Sequence, residues 1–263
     1  MNYKNWFLFL ALTAFAFTAC QPSGKKAPEA EAEETPPAEA LLNALTEEEA
    51  AAGWTLLFDG ENTDQWRGYC KDEFPSGWVV ADGALQVIGS GRGEAGNGGH
   101  IITKNTYSDF ELSLEWKVSE GGNSGIFYLA RERCGDEAQD IWKSAPEMQI
   151  LDNVKHPDAM LGKDGNRQAG SLYDIIPANP QNAKPVGEWN QVSVMVYRGT
   201  VVHRMNGETV VEYHLWTDDW KNKVANSKFK DYEDFIDVAK EGHIGLQDHG
   251  DDVWFRNIKI RAL

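Results

Sequence analysis

Between Phe110 and Val118 every second residue is apolar. Phe110, Leu112, Leu114, Trp116 and Val118 alternate with Glu111, Ser113, Glu115 and Lys117. A two-residue period belongs to a strand with one buried face, because successive side chains leave the backbone on opposite sides. Two hairpin signals extend the pattern. Asp82-Gly83 separates Trp78-Val79-Val80 from the run Ala84 to Ile88, and Asn206-Gly207 separates Val201–Met205 from Glu208–Tyr213. Further strands are expected at Ile126–Ala130, Glu147–Leu151, Leu172–Ile176, Gln191–Tyr197, His243–Gln247 and Trp254–Ile260. One helical stretch is expected over Thr217–Val238. Many short strands and one helical insert predict an all-β sandwich or jelly roll of two antiparallel sheets.

The N-terminus has a different composition. One cation in Met1 to Lys4 precedes an uncharged apolar run from Trp6 to Ala19. That run is too short to span a bilayer and has the length of a signal-peptide core. It ends in Phe17-Thr18-Ala19-Cys20, which resembles the lipobox of bacterial lipoproteins. The resemblance implies a signal peptide over residues 1–19 and lipidation of Cys20. Residues 20–52 are rich in Ala, Glu and Pro, carry too little apolar surface to fold, and read as a lipid-anchored linker. The folded domain is then 53–263. The expected location is outside the cytoplasm, periplasmic or at the outer membrane or cell surface, with the lipid as the only membrane contact. A net charge of -16 argues against nucleic acid and against an anionic membrane face as partners. Beyond Cys20 only Cys70 and Cys134 remain. An oxidising compartment permits their pairing, but two separate buried thiols fit the sequence as well.

Strand parity sorts the chemistry-bearing residues by face. In Glu147-Met148-Gln149-Ile150, Met148 and Ile150 belong to the core, which puts Glu147 and Gln149 on the opposite side. In His243 to Gln247, Ile244 and Leu246 face the core, so His243 and Gln247 face away, with His249 continuing that face. Of Phe127 and Tyr128 one must face out, and the Tyr128 hydroxyl is the one that wants a partner. Across the Asn-Gly turn, His203, Met205, Glu208, Val210 and Glu212 share a face, so that His203 lies diagonal to two carboxylates. If the strands are neighbours, Tyr128, Glu147, Gln149, Gln247 and His249 form one floor. An acid, an imidazole, amides and an aromatic suit a sugar. The plainer alternative is the solvated outer face of an antiparallel sheet.

Seven segments, in order, resemble motifs of the 3-keto-disaccharide hydrolase family: Asn123-Ser124-Gly125-Ile126-Phe127, Glu147-Met148-Gln149-Ile150-Leu151-Asp152-Asn153, Ser171-Leu172-Tyr173-Asp174, Gly187-Glu188-Trp189-Asn190, His203-Arg204-Met205-Asn206-Gly207, Gly242 to Gly250, and Phe255-Arg256-Asn257-Ile258. The resemblance implies a concanavalin A-like jelly roll with one concave sheet. It also implies a carbohydrate substrate already oxidised to a 3-ketone by a partner sugar 3-oxidoreductase. A C3 ketone acidifies the hydrogen on C2, so the site needs a base, a stabiliser for the enolate oxygen and an acid for the leaving oxygen. Glu147 and His249 are the candidates for acid and base, in either order. Asn123, Tyr128, Gln149 and Gln247 are candidates to hold hydroxyls or the carbonyl, with Tyr173, Arg131 and His203 as further binding residues. Residues 131–145 and the insert at 217–238 are expected to vary within such a family.

Two rival readings remain at this level. Glu147-x-Gln149-x-x-Asp152 has the spacing of the acid pair of retaining glucanases on this fold, which would make Asp152 catalytic. A β-bulge would be needed to turn Asp152 onto the face of Glu147, and Asp-Asn is also a common turn. A non-catalytic lectin-like module needs the amides and aromatics but no acid poised against an imidazole. No cofactor is implied by any motif. The oxygen donors Asp248, Asp251 and Asp252 suit a structural calcium, a solvated acidic loop being the alternative; a divalent ion polarising the 3-ketone is a further option for which no ligand spacing argues.

Overall fold

The computed structural model describes residues 42–96 and 98–263. The expected signal peptide, Cys20 and most of the linker lie outside the described residues. The strands, in chain order, are β1 (Thr55–Leu56), β2 (Trp66–Gly68), β3 (Trp78–Ala81), β4 (Ala84–Val87), β5 (Ile101–Thr103), β6 (Phe110–Val118), β7 (Asn123–Ala130), β8 (Glu147–Leu151), β9 (Asn190–Tyr197), β10 (Thr200–Met205), β11 (Glu208–His214), β12 (His243–Leu246) and β13 (Val253–Ala262). The helices are α1 (Glu47–Ala51), α2 (Asp218–Ala225) and α3 (Glu233–Ile236).

They form the sandwich that the alternation predicts. The larger sheet runs β11-β10-β9-β6-β13-β4-β3 with β1 added to β13, and the smaller runs β2-β5-β12-β7-β8. Neighbouring strands are antiparallel throughout. In β6 the five apolar residues are buried and the four polar ones lie partly open. The core between the sheets holds Leu112, Leu114, Val194 and Val196 from one side and Ile126, Met148, Ile150, Ile244 and Leu246 from the other. Each such side chain contributes about 2 kcal/mol by leaving water. Both hairpins turn where expected, with Asp82 and Gly83, and then Asn206 and Gly207, at positive φ. That geometry matches the twist of the flanking strands.

Several expectations are corrected. Leu172–Ile176 makes only isolated bridges, because Asp174 sits at φ 60° and the chain turns back on Leu172. The short strands β1, β2 and β5 escape sequence reading, since two or three residues cannot show a period. The helical stretch at 217–238 is two helices. Thr217 caps α2 by accepting the Trp220 N–H at 3.1 Å. Past α2, the Ser227 hydroxyl donates to the Val224 carbonyl and accepts the Phe229 N–H, drawing the backbone out of the helix. Trp220, Phe229 and Phe235 are then buried, while Lys228 between them stays exposed.

Tyr128, assigned to the floor, and His203, expected to bind substrate, both belong to the core. β7 pairs with β8 so that Phe127 stands opposite Glu147, and Phe127 therefore shares its face. Tyr128 points between the sheets. Its hydroxyl does find partners, but from the opposite sheet: His203 Nε2 at 2.8 Å and Tyr213 Oη at 2.7 Å. His203 lies between the sheets because it alternates with Val201 and Met205 along β10. Opposite the His203–Arg204 step β11 bulges, which turns Val211 and Tyr213 inward and leaves Glu208 and Glu212 exposed, so the two carboxylates do not share its face. Its Nδ1 donates to the Gly170 carbonyl at 3.2 Å, so Nε2 accepts from Tyr128. Burial pushes the pKa of this imidazole down to about 4 and keeps it neutral.

Candidate active site

The other face of the smaller sheet forms the floor of a cleft of about 430 Å³ lined by Asn123, Glu147, Gln149, Gln247, His249 and side chains from four loops. The floor follows from parity. Gly125 stands opposite Gln149, and the Gln247 N–H donates to the Gly125 carbonyl, so these three lie in one row. Glu147 occupies the adjacent row with Phe127 and Gly245. Its carboxyl leans over Gly125, where a Cβ would come within 2.7 Å of the Glu147 Cδ. β8 is the last strand of its sheet. Its outer edge is covered by the loop that follows, through Gly170 N–H to the Gln149 carbonyl and Tyr173 N–H to the Glu147 carbonyl. Tyr173 thereby becomes one wall.

The remaining walls come from segments without a readable period. Trp142 and Asp140 arrive on residues 131–145. That segment is tied to the turn after β2 by a disulfide between Cys70 and Cys134, and by the pair Arg67–Glu132 at 2.6 Å. Glu94 arrives on the glycine-rich loop after β4. This loop is laid over the turn at Asp248–Gly250 by Ala95 N–H to the Asp248 carbonyl and by Ser90 and Gly91 N–H to the Gly250 carbonyl. Lys228 arrives from the break after α2.

Burial decides the protonation of the floor. Glu147 is 5% exposed, and its carboxyl makes no hydrogen bond among the described residues. Loss of solvation pushes its pKa up to about 8, a rise that Glu94 and Asp158 reinforce and that Lys228 opposes. It is a neutral acid at pH 7. Glu94 behaves in the opposite way. Burial works against its ionisation, but the N–H of His100, the nearby imidazoles and the Gln247 amide hold it below the usual carboxylate range. His100 Nδ1 accepts the Asp248 N–H, which leaves its proton on the Nε2 that faces Glu94 at 3.1 Å. His249 lies between two carboxylates, with Nε2 3.5 Å from Glu94 and Nδ1 3.9 Å from Asp251. The buried acceptors Asn123 Oδ1 and Gln247 Oε1 have no hydrogen-bond partner among the described residues.

Among the residues expected at the site, Glu147, His249, Asn123, Gln149, Tyr173 and Gln247 are brought together. Tyr128 and His203 are not, for the reasons given above. Arg131 is also outside the lining, since its guanidinium is held by Asp234 and by the Asp237 carbonyl at 2.7 Å. Asp152 lies in a turn, accepting the N–H groups of Gly121, Val154 and Lys155 at 2.7, 2.9 and 3.2 Å, and it borders a different cavity. The glucanase-type pair is therefore not assembled. Glu94, His100, Asp140, Trp142 and Lys228 were not singled out in the sequence. They sit on irregular segments, where no spacing marks which way a side chain points.

The acidic turn proposed for calcium spends its oxygens on backbone. Asp248 accepts the Gly250 and Gly99 N–H groups and Asp252 accepts that of Gly89, and the three aspartates do not converge. A different trio, His156, His249 and Asp251, brings one ligand atom each within 4.8 Å of one another. His156 Nδ1 accepts the Asp158 N–H at 3.2 Å, so its ring proton is on Nε2, and in this tautomer it offers no lone pair to a cation.

A binding module can recognise sugars with amides and aromatics alone. A buried carboxyl group lining the same cleft as an imidazole that is flanked by carboxylates adds the means to move protons, and on this sandwich it defines a jelly-roll enzyme. Residues 53–261 match the 3-keto-alpha-glucoside-1,2-lyase-like domain, and the chain belongs to that family. It is 53% identical over 230 residues to a 3-keto-disaccharide hydrolase of Bacteroides thetaiotaomicron, covering 81% of this chain and 79% of that protein. Two Parabacteroides distasonis proteins assigned provisionally to the glycosyl hydrolases have similar crystal structures. One aligns with a TM-score of 0.74 at 30% identity over 85% of this chain and all of the other, and the second with 0.60 at 29% over 80% and 99%. The chain is thus an enzyme of the glycoside-hydrolase type.

Proposed function

We propose that this enzyme cleaves glycosides whose glucose unit carries a ketone at C3, by elimination across C1–C2 and rehydration. His249, oriented beside ionised Glu94, takes the C2 proton, and the electron pair delocalises onto the C3 oxygen as an enolate. The enolate collapses to a C1–C2 double bond as the C1–oxygen bond breaks. Glu147 gives its proton to the departing oxygen. Water then adds its hydroxyl to C1 and its hydrogen to C2, giving the free 3-keto sugar. Asn123, Gln149, Gln247 and Tyr173 hold the ring. The observation that carries this reading is the burial of Glu147 in the floor of the cleft, which favours its protonated form, since a leaving alkoxide needs a donor that is still an acid at neutral pH. The names of the family and of the Bacteroides relative support the substrate class.

The ketone would come from a separate sugar 3-oxidoreductase. Export through residues 1–19 and a lipid on Cys20 would place the domain outside the cytoplasm, tethered by the Ala/Glu/Pro-rich segment that follows Cys20; Asn43 and α1, at the end of the expected linker, are bonded to the sandwich through Asn257 and Lys259. The test is incubation of the purified domain with matched ordinary and 3-keto glucosides in D2O. Aglycone release from the keto form alone, with deuterium at C2, is expected. Equal release from both forms would overturn the reading.

A further inference from the structure

The cleft is lined by three carboxyl residues, Glu94, Asp140 and Glu147, and by a single Lys or Arg, Lys228. The cations around it are committed elsewhere. Arg131 and Arg133 are paired with Asp234, and Arg167 with Asp158 and Asp174. Lys228 makes no ion pair among the described residues. Its ammonium stands over aromatic faces, 4.1 Å from the centre of the Tyr173 ring, with Phe229 at 5.1 Å and Trp142 at 5.2 Å. Such rings hold a cation in place without neutralising it. The backbone beneath is fixed as well. The Lys228 N–H donates to Asp174 Oδ2 at 2.8 Å, while Asp174 Oδ1 accepts from Arg167, so the insert is tied to the loop that carries Tyr173.

An unneutralised ammonium held in a cleft of acids suits a negative charge that exists only during the reaction. A permanently anionic sugar would meet ionised Glu94, while Asp140 is already paired with Lys143 at 3.2 Å. We propose that Lys228 is a further catalytic residue, the hydrogen-bond donor and charge partner of the enolate oxygen that forms when the C2 proton leaves a 3-keto glycoside. This rests on the reading of the reaction given above. As His249 takes the proton, the C2–H pair becomes the C2–C3 π bond and the C3 carbonyl pair moves onto oxygen. Lys228 N–H donates to that oxygen and keeps its proton, and the carbonyl re-forms when the C1–oxygen bond breaks. The donor is fixed in advance on a wall of the cleft, which is how such stabilisation acts without reorganisation at the moment of reaction.

The test compares wild type with K228M, K228Q and K228R on a 3-keto glucoside. Met keeps the apolar stem against Tyr173 and Trp142 and loses only the charge. K228M and K228Q are expected to fold with an unchanged melting midpoint and to lose about 10²- to 10³-fold in kcat, with KM moving less than threefold, the size of effect seen when one preorganised oxyanion donor is removed. K228R is expected to recover most of the loss. On a 3-keto 1-deoxy analogue, which has nothing to expel, exchange of the C2 hydrogen with D2O should slow by the same factor. Unchanged kcat in K228M, a loss confined to KM, or slowed cleavage with normal C2 exchange would each overturn the role of Lys228. Absence of turnover by wild type would instead sink the reading of the reaction, and so the two failures are separate.

Discussion

The carboxyl group of Glu147 occupies the space that a side chain at Gly125 would fill, with an added Cβ falling 2.7 Å from its Cδ and 2.8 Å from its Cγ. Two neighbouring strands thus cooperate. β8 supplies the acid, and β7 supplies the missing side chain that lets the acid lie flat in the floor, where water is scarce and its proton is retained.

Replacing Gly125 by alanine should therefore injure catalysis more than folding. The atoms it would strike belong to the Glu147 side chain, which can swing aside. We expect G125A to lose at least about 10²-fold in kcat, since a misplaced acid forfeits most of general acid catalysis, with a melting midpoint close to wild type. Steady-state kinetics beside thermal unfolding would check this, and near-normal kcat would show that the acid does not need its present position.

The Glu147 pKa of about 8 gives two signatures with defined signs. In the proposed reaction the protonated form is the active one, so kcat should fall roughly tenfold per pH unit above that value. Stability changes at lower pH. The native state keeps a proton that the unfolded chain releases near the ordinary carboxylate pKa of about 4.3, so wild type should lose stability as pH rises from there to about 8 and level off above. E147Q carries no such proton and should lack that component. Urea unfolding at low and high pH should show wild type losing at least about 1.4 kcal/mol more than E147Q, one pKa unit's worth. E147Q should also lose at least about 10²-fold in kcat at neutral pH.

Y128F distinguishes core from floor. Removing the hydroxyl leaves His203 Nε2 without its donor and Tyr213 without its acceptor in a dry interior. The expected cost is about 1–3 kcal/mol of stability, with kcat and KM near wild type. A large loss of kcat with unchanged stability would mean that this hydroxyl reaches the substrate.

D152A addresses the glucanase-type alternative. Asp152 satisfies three backbone N–H groups, so its loss should destabilise the turn by about 2 kcal/mol and leave turnover largely intact at a temperature where the variant is folded. A nucleophile removed from a retaining glycosidase would abolish turnover, and kinetics on folded protein separate the two results.

The parity of β8 and β12 was legible because both strands run regularly and keep Met148, Ile150, Ile244 and Leu246 in the core. Glu147, Gln149 and Gln247 then had one face left to occupy. Parity failed at Tyr128 and His203 for identifiable reasons. In Phe127-Tyr128 both side chains are apolar enough for either face. His203 shares the buried face of β10 with Val201 and Met205, and the bulge in β11, unmarked in the sequence, takes Glu208 and Glu212 off that face. The walls were illegible for a different reason. Glu94, Trp142 and Lys228 lie on loops whose course is set by the disulfide, by backbone bonds to distant turns and by the break at Ser227.

By itself the sequence determined the two-sheet sandwich and the polar row on its smaller sheet, because a two-residue period and Asn-Gly or Asp-Gly turns act over neighbouring residues. The tertiary structure alone decided which carboxyl of the cleft is buried in a way that favours its protonated form. Protonation depends on how much water reaches a group and which charges surround it, and for Glu147 these are fixed by Gly125, Glu94 and Lys228, residues far from one another along the chain.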